Sequence, residues 1–366
     1  MKKICIATPV DYSNYGNRLQ NFAVHKICKK YQLEPITLAV EYAFIKKRIP
    51  KHAVLQALDR LHLLKFVSRF PKFKKISKSL AAFRFTQKHI QTKYITDPCQ
   101  LDKELENATY FGIGGDQILA PYWKNIIEFA TFHGMPSSRK ICFAPSFGSD
   151  ILPKEYEDQI RPELADISYP AVREESGCKL FQSITGNPAM RICDPVVMLT
   201  QAEWRICTKE STVQVAEPYL LLYFLGEQNE AYNKFIQRMA NEKHCKIIDV
   251  SKSSKTKEST CDPLEFVSCI ENAEMVLTDS FHAVMLTIIH NTPLVIFNRI
   301  GGEEMSTRIT ELVERYQLQK CVFEGLAGDV DNAFVGRYDL NYVNGILDSE
   351  RAAADEYYRN IIKQEW

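Results

Sequence analysis

The feature that most constrains this chain is a regular alternation of short apolar runs with amphipathic stretches of about 10–15 residues. It is clearest between Tyr219 and Phe297. Tyr219–Leu225 is a continuous apolar run, and a helical pattern follows from about Asn229 to Lys243. Strand 246–250, helix 263–272, strand 275–278, helix 281–290 and strand 293–297 extend the series. Strands that point the same way need a long return connection, so this pattern predicts parallel sheet with right-handed crossovers.

The first half carries the same signature. An apolar strand at 2–8 leads through a polar loop with Asn14, Gly16 and Asn17 into NRLQNFAVHKICKKY, where Leu19, Phe22, Ala23 and Ile27 share one helical face. A strand at 109–113 ends in Gly114-Gly115-Asp116, one at 140–144 ends in Pro145-Ser146-Phe147-Gly148, and one at 168–172 ends at Arg173. Polar or glycine-rich residues thus recur just beyond the carboxyl ends of strands, the edge at which open α/β sheets bind ligands. A chain of 366 residues exceeds one ordinary core. The expected architecture is α/β, with two Rossmann-like domains at 1–195 and 196–345 facing a central cleft. A terminal helix within 346–366, with Ala352, Tyr357, Ile361 and Ile362 on its apolar side, is expected to pack back on the first domain.

Composition narrows the class. Hydrophobic residues make up 45% and charged residues 25%, the balance of a soluble globular protein. The opening MKKICIATPV stops being apolar at Pro9, too early for a signal peptide or a membrane span, so a cytoplasmic location is expected. The eleven cysteines are scattered, with no C-x-x-C pair, and several sit in apolar runs, which predicts reduced core thiols. The eight histidines do not cluster with them, so no metal site is expected.

The stretch richest in chemistry is Thr278-Asp279-Ser280-Phe281-His282-Ala283, where an apolar strand passes into a helix. Unpaired N–H groups at a helix start favour an anion, and a histidine on the first turn suits proton transfer beside it. The alternative is that Asp279 or Ser280 caps the helix and His282 packs. Arg173 opens a strand-to-helix junction, where a guanidinium either clamps an anion with two parallel bonds or pairs with Glu174 or Glu175. Arg299 and Arg308 follow the last strand. Asp116 and Gln117 could grip sugar hydroxyls, as could Asn17 and Arg18 after the first strand. Neither loop is a nucleotide fingerprint, and no spacing rule makes Asp116 and Asp279 a glycosidase pair.

Seven segments, in order, resemble the polysaccharide pyruvyl transferase family: NYGNRLQNFA (14–23), GIGGDQI (112–118), FAPSFG (143–148), AVREESG (171–177), DPVVML (194–199), TDSFHAVMLTIIHNTPLVIF (278–297) and STRI (306–309). The resemblance implies a fold similar to the GT-B glycosyltransferases, phosphoenolpyruvate as donor and a cyclic ketal on a sugar as product. It makes His282 the candidate for proton transfer and Arg173 a holder of the donor's anionic groups. Ala283 departs from the usual glycine after that histidine, and Ser280 stands where some members carry arginine. Arg308 or Arg299 is then expected to supply the missing cation, with Ser280 beside them at the donor. Asp116, Gln117, Asn17 and Arg18 are expected to hold the acceptor, a surface-polysaccharide or capsule precursor linked to a lipid diphosphate. The scheme demands neither metal nor cofactor. Two other readings suit the same architecture: a glycosyltransferase using a nucleotide sugar, and a non-catalytic sugar- or phosphate-binding protein.

The net charge of +1 hides an asymmetry, because residues 46–93 hold fourteen Lys or Arg against one acid, Asp59. Val54, Ala57, Leu58, Leu61 and Leu64 share one helical face there, and Phe73, Ile76, Leu80 and Phe83 another. This segment either lies on an anionic membrane or is a helical insertion packed on its own domain. No base-reading motif accompanies the charge, so nucleic acid is not an expected partner. The membrane reading predicts more retention of the protein by vesicles containing anionic lipid than by neutral ones; equal co-sedimentation with both defeats it.

Overall fold

Strands buried on both faces must be apolar throughout, and β1 (Lys2–Ala7) shows this, with Ile4, Cys5, Ile6 and Ala7 all without solvent exposure. The computed structural model describes residues 1–40, 51–60, 74–95, 98–211, 215–251, 261–301, 306–324 and 336–362. The chain divides into two compact units. The first comprises Met1–Lys65, Ala82–Met198 and Glu350–Trp366; the second comprises Phe66–Ala81 and Leu199–Ser349.

In the first unit, β1 lies between β2 (Leu33–Val40) and β4 (Tyr110–Ile113), with β3 (Thr92–Ile95) and β5 (Lys140–Cys142) at the edges. All pairs are parallel, in the order β3-β2-β1-β4-β5. Two of these strands escape a pattern reading. Pro35 and Glu34 interrupt the apolar run of β2, and a proline normally argues against an interior strand. β3 is four residues long, and its first two residues fall within the 46–93 stretch expected to be helical. The stretch 168–172 differs in the other direction. Pro170 has no N–H to pair, and only β6 (Ala171–Val172) forms, joining β7 (Met190–Arg191) in a separate two-stranded sheet.

Helix Tyr15–Lys30 follows β1. Asn14, in extended conformation, caps it by accepting from the Asn17 N–H, and every residue from Tyr15 to His25 is buried. A helix buried on all sides must satisfy its polar groups internally. Burial holds the His25 imidazole neutral, down to about 3, with Lys29 and Arg18 adding to the effect, while its Nε2 meets Thr37 Oγ1 at 2.8 Å.

The last helix, Leu340–Ile362, begins earlier than its sequence pattern suggests. Within the first unit its end is held by specific bonds. The Cys142 N–H donates to Tyr357 Oη at 3.0 Å, and that hydroxyl donates to Tyr169 O at 2.9 Å. Lys30 Nζ and Tyr31 Oη both donate to Asp355 Oδ1, at 2.7 and 2.5 Å, and the Tyr358 ring stacks on Phe143.

The second unit has a four-stranded parallel sheet in the order β11-β10-β8-β9, built from β8 (Tyr219–Tyr223), β9 (Lys246–Asp249), β10 (Met275–Thr278) and β11 (Leu294–Ile296). Leu220, Leu222, Phe235, Met239, Leu277 and Phe297 form its core. Its helices start where the sequence supplies caps. Asp262 with Glu265 forms a reciprocal capping box before helix Pro263–Glu271, and Thr200 with Glu203 does so before Gln201–Thr208.

In the basic segment, helices Lys51–Arg60 and Lys74–His89 form, while 46–50 and 61–73 lie outside the described residues. Of the expected face of the first helix, Val54 and Ala57 lie among the described side chains, and Leu58, Leu61 and Leu64 lie outside them. Val54 is 45% exposed and Ala57 exposed, whereas Leu55 is buried. On the second helix Leu80 and Phe83 are buried as expected, and so is a lysine: Lys78 Nζ donates to Val250 O at 3.1 Å and lies 4.9 Å from the Tyr223 ring centroid. No described helix is long and apolar enough to cross a membrane.

The bonds at Tyr357 give a direct test of how the last helix is held. Tyr357→Phe leaves the buried Cys142 N–H without its acceptor and should lower unfolding stability by about 1–3 kcal/mol, measured by denaturant titration; an unchanged midpoint contradicts this.

Candidate functional site

In a parallel sheet the crossovers leave two neighbouring strands in opposite directions at one place, and the gap they open is where ligands settle. In the first unit that place lies between β1 and β4. Asn17 and Arg18 stand on the first turn of the helix after β1, and Gly114-Gly115-Asp116-Gln117 follow β4. The two sides are joined, with Asn17 Nδ2 donating to Asp116 Oδ2 at 2.9 Å. Asn17 Oδ1 accepts from Arg18 Nη2 (2.7 Å), Arg18 Nε (3.1 Å) and the Asp11 N–H (2.8 Å). Arg18 is fully buried, and its Nη2 also donates to Pro9 O at 2.8 Å. Burial pulls its guanidinium below the ordinary arginine value, opposed by Tyr12, Asp11, Tyr94 and Asp116.

Asp116 and Ala144 both adopt left-handed backbone, with φ of 61° and 55°. Such angles cost energy in a residue with a side chain, and they cluster where function demands them. Asp116 is pinned there by its carbonyl, which accepts from the Ser146 N–H at 2.8 Å. Gln117 is half-exposed, and its Oε1 accepts from Tyr122 Oη at 2.5 Å.

Arg173 is deeply buried. Its side chain is 2% exposed, Nε donates to Glu174 Oε1 at 2.7 Å, and Nη1 donates to Asp194 Oδ2 at 2.9 Å. Burial opposes its charge, but Glu174, Asp194 and Asp116 outweigh that and raise its pKa. Of the two sequence alternatives, the ion pair is the geometry present, with Glu174 and not Glu175 as the neighbour. In the sequence Asp194 stands out only as the first residue of the DPVVML segment, with no sign of its partner. Its Oδ1 also accepts from the Val196 N–H at 3.1 Å, so it turns the chain and anchors Arg173 at once.

In the second unit the strands diverge between β8 and β10. Asp279, just past β10, accepts from the Leu225 N–H (2.7 Å) and the Gly226 N–H (2.8 Å), just past β8. Arg299 Nη2 donates to Asp279 O at 3.0 Å, and its Nε lies 3.5 Å from Asp279 Oδ2. A Cβ on Gly226 would come within 2.6 Å of both Arg299 Cγ and Ile300 O, so only glycine allows this approach. Asp279 therefore ties strand ends together and does not cap the helix. Ser280 holds the N-cap position of helix Phe281–Ile289, but its side chain makes no capping bond. His282 occupies the first turn, 5% exposed, with the Phe281 ring edge-on at 5.4 Å. Arg308 is buried on the first turn of helix Ser306–Arg315.

The structure thus brings Asn17, Arg18 and Asp116 into one bonded group, with Gln117 next in the chain. It places Ser280, His282 and Arg299 around the end of β10. Among the described residues no three His, Cys, Asp or Glu side chains are grouped to hold a metal ion. None of the described cysteines forms a disulfide, and burial raises the thiols of Cys5 and Cys142 to about 11.

The polysaccharide pyruvyl transferase family model matches residues 14–300 of this chain. The chain belongs to the polysaccharide pyruvyl transferase family. No curated protein matches it. Among solved structures it is similar to two of the wall teichoic acid polymerase TagF, each 9% identical with a TM-score of 0.50. They cover 98% and 99% of this chain and 89% and 88% of those chains. A complex of S. aureus MnaA with UDP is 12% identical over 100% of this chain and 99% of that one, at a TM-score of 0.49. The likeness to TagF concerns the fold alone, a GT-B-like pair of Rossmann-like domains.

Both switch-point groups and the Arg173 pair lie within the span that matches the pyruvyl transferase family. Arg173→Met should strand two buried carboxylates in this pyruvyl transferase family member and cost about 3–5 kcal/mol of stability. A melting curve like that of the native protein would mean that Arg173 is not a buried clamp.

Proposed function

We propose that this protein transfers the pyruvyl group of phosphoenolpyruvate to a sugar of a lipid-diphosphate-linked polysaccharide precursor, forming a cyclic ketal. The observation that carries the reading is His282 on the first turn of a helix that starts at the β8/β10 divergence, in a chain of this family. N–H groups of a helix start are suited to an oxyanion, and an imidazole there is within reach of the same ligand.

The donor presents a carboxylate, a phosphate and an enol double bond. Attack of a sugar hydroxyl on C2 is matched by delivery of a proton to C3, which becomes a methyl group. His282 in its protonated form is assigned that delivery. The hydroxyl's proton returns to the imidazole. The C2–O bond to phosphate then breaks with its electron pair, a second hydroxyl of the same sugar adds to C2, and its proton leaves with the phosphate. Ser280 and the amides beside it hold the donor. Arg299, already bound to Asp279, adds positive charge at the same strand end, and Arg308 is the second candidate cation. Asp116 and Gln117 are assigned to the acceptor, since a carboxylate and an amide suit vicinal hydroxyls; Asn17, buried and bonded to Asp116, is assigned to hold that carboxylate. Arg173, matched by its own carboxylates, is assigned to support and not to the donor. The acceptor's lipid would keep the enzyme at the cytoplasmic membrane face.

The test incubates the protein with phosphoenolpyruvate and lipid-linked oligosaccharides, following phosphate release and the mass of the glycan. His282→Ala should abolish release with an unchanged melting temperature; near-native turnover removes His282 from the mechanism. Thermal stabilisation by a nucleotide sugar, without any by phosphoenolpyruvate, would favour a glycosyltransferase instead.

A further inference from the structure

The polar group at the β1/β4 divergence is arranged in a definite order. Three N–H donors converge on one oxygen: Arg18 Nη2, Arg18 Nε and the backbone N–H of Asp11 all point at Asn17 Oδ1. Only an oxygen can accept from three donors, which settles the orientation of the carboxamide. Its nitrogen must then face the other way, and there it donates to Asp116 Oδ2 at 2.9 Å. The guanidinium that does this is fully buried, and among the described residues it forms no ion pair and its Nη1 has no hydrogen-bond partner. Its compensation comes from Asn17 Oδ1, Pro9 O and the Tyr12 ring, whose centroid lies 5.7 Å from the guanidinium carbon, and includes no salt bridge among the described residues, so burying this charge is costly for the fold alone.

We propose that Arg18 is a positioning residue, which locks the Asn17 carboxamide so that Asp116 is held, as an ionised acceptor of fixed direction, for a hydroxyl of the sugar substrate. The inference rests on the assignment of Asp116 to the acceptor. It replaces the expectation that Arg18 itself touches the sugar, because a side chain with no exposure does not. The strained backbone of Asp116 belongs to the same device. The chain fixes the main chain through the Ser146 N–H and the side chain through Asn17, so neither end of the residue is left to drift.

The charges facing Asp116 come from two sides. Arg18 lies on the helix after β1, with Asp11, Tyr12 and Tyr94 around it. Arg173 lies past β6 and is already matched by Glu174 and Asp194. Asn17→Asp is the informative variant. It keeps the oxygen that Arg18 and Asp11 require and adds an ion pair to Arg18, so the unit is expected to fold. It replaces the donor to Asp116 by a second carboxylate oxygen, and like charges at that distance raise a carboxyl pKa.

The experiment measures steady-state pyruvyl transfer from phosphoenolpyruvate to lipid-linked oligosaccharide across pH, with the full-length native protein, Asn17→Asp and Arg18→Lys. For Asn17→Asp, KM for the acceptor should rise by about tenfold or more while KM for phosphoenolpyruvate stays put. The acid limb of its kcat/KM profile should move up by about one pH unit or more. Arg18→Lys keeps the charge but loses the planar fork, and should raise acceptor KM without moving that limb. Native-like acceptor KM and an unshifted acid limb in Asn17→Asp overturn the proposal, whatever becomes of the Arg18 variant. Absence of pyruvyl transfer in the native protein overturns the proposed function instead, and the two failures are distinguishable.

Discussion

In each unit a carboxylate spans the point where neighbouring parallel strands send their chains in opposite directions. Backbone N–H groups there have lost their sheet partners, and a buried amide without an acceptor is expensive. Asp279 answers this by taking the Leu225 and Gly226 N–H groups on its two oxygens. Asp116 answers differently: its carboxylate meets a side-chain amide and its carbonyl meets Ser146. The first arrangement closes the edge and leaves His282, three residues on, in the first turn of the following helix. The second leaves a half-exposed carboxylate and amide side by side at Asp116 and Gln117. One chemical solution to strand divergence thus yields an anchoring edge in one unit and a presenting edge in the other.

Much of this was legible in the residues. Alternating apolar runs located β1, β4, β5 and all four strands of the second unit to within a few residues, because strands buried on both faces have no choice of composition. β2 was missed since Pro35 breaks its pattern, and its place is fixed by pairing with β1 and β3, information that no local window holds. The short β6 was overestimated for a related reason, the missing N–H of Pro170.

At the sites, residue type foretold location better than role. Asn17, Asp116, Asp279 and His282 all stand at carboxyl edges, as glycine-rich and polar loops after strands suggest. Whether a cation faces a ligand or a neighbour is a different matter. Arg173 faces the adjacent Glu174, which the sequence offers, but also Asp194, and Arg299 faces Asp279; those partners, 21 and 20 residues away, come within about 3 Å only once the sheet is assembled. The basic segment shows the same limit. Composition registers fourteen cations, but not that Lys78 is buried against Tyr223 and Val250.

The first unit is assembled from three stretches of the chain, the last beginning at Glu350. Its sheet and most of its core residues emerge from the ribosome long before Tyr357, Tyr358 and Asp355 do. Until then the Cys142 amide and the surface covered by Tyr358 stand open, and closing so long a loop is the slow part of such a topology. The strands of the second unit all follow Leu199, so its sheet lies within that long connection in chain order, and a folded sheet there leaves less chain to be closed when the last helix docks.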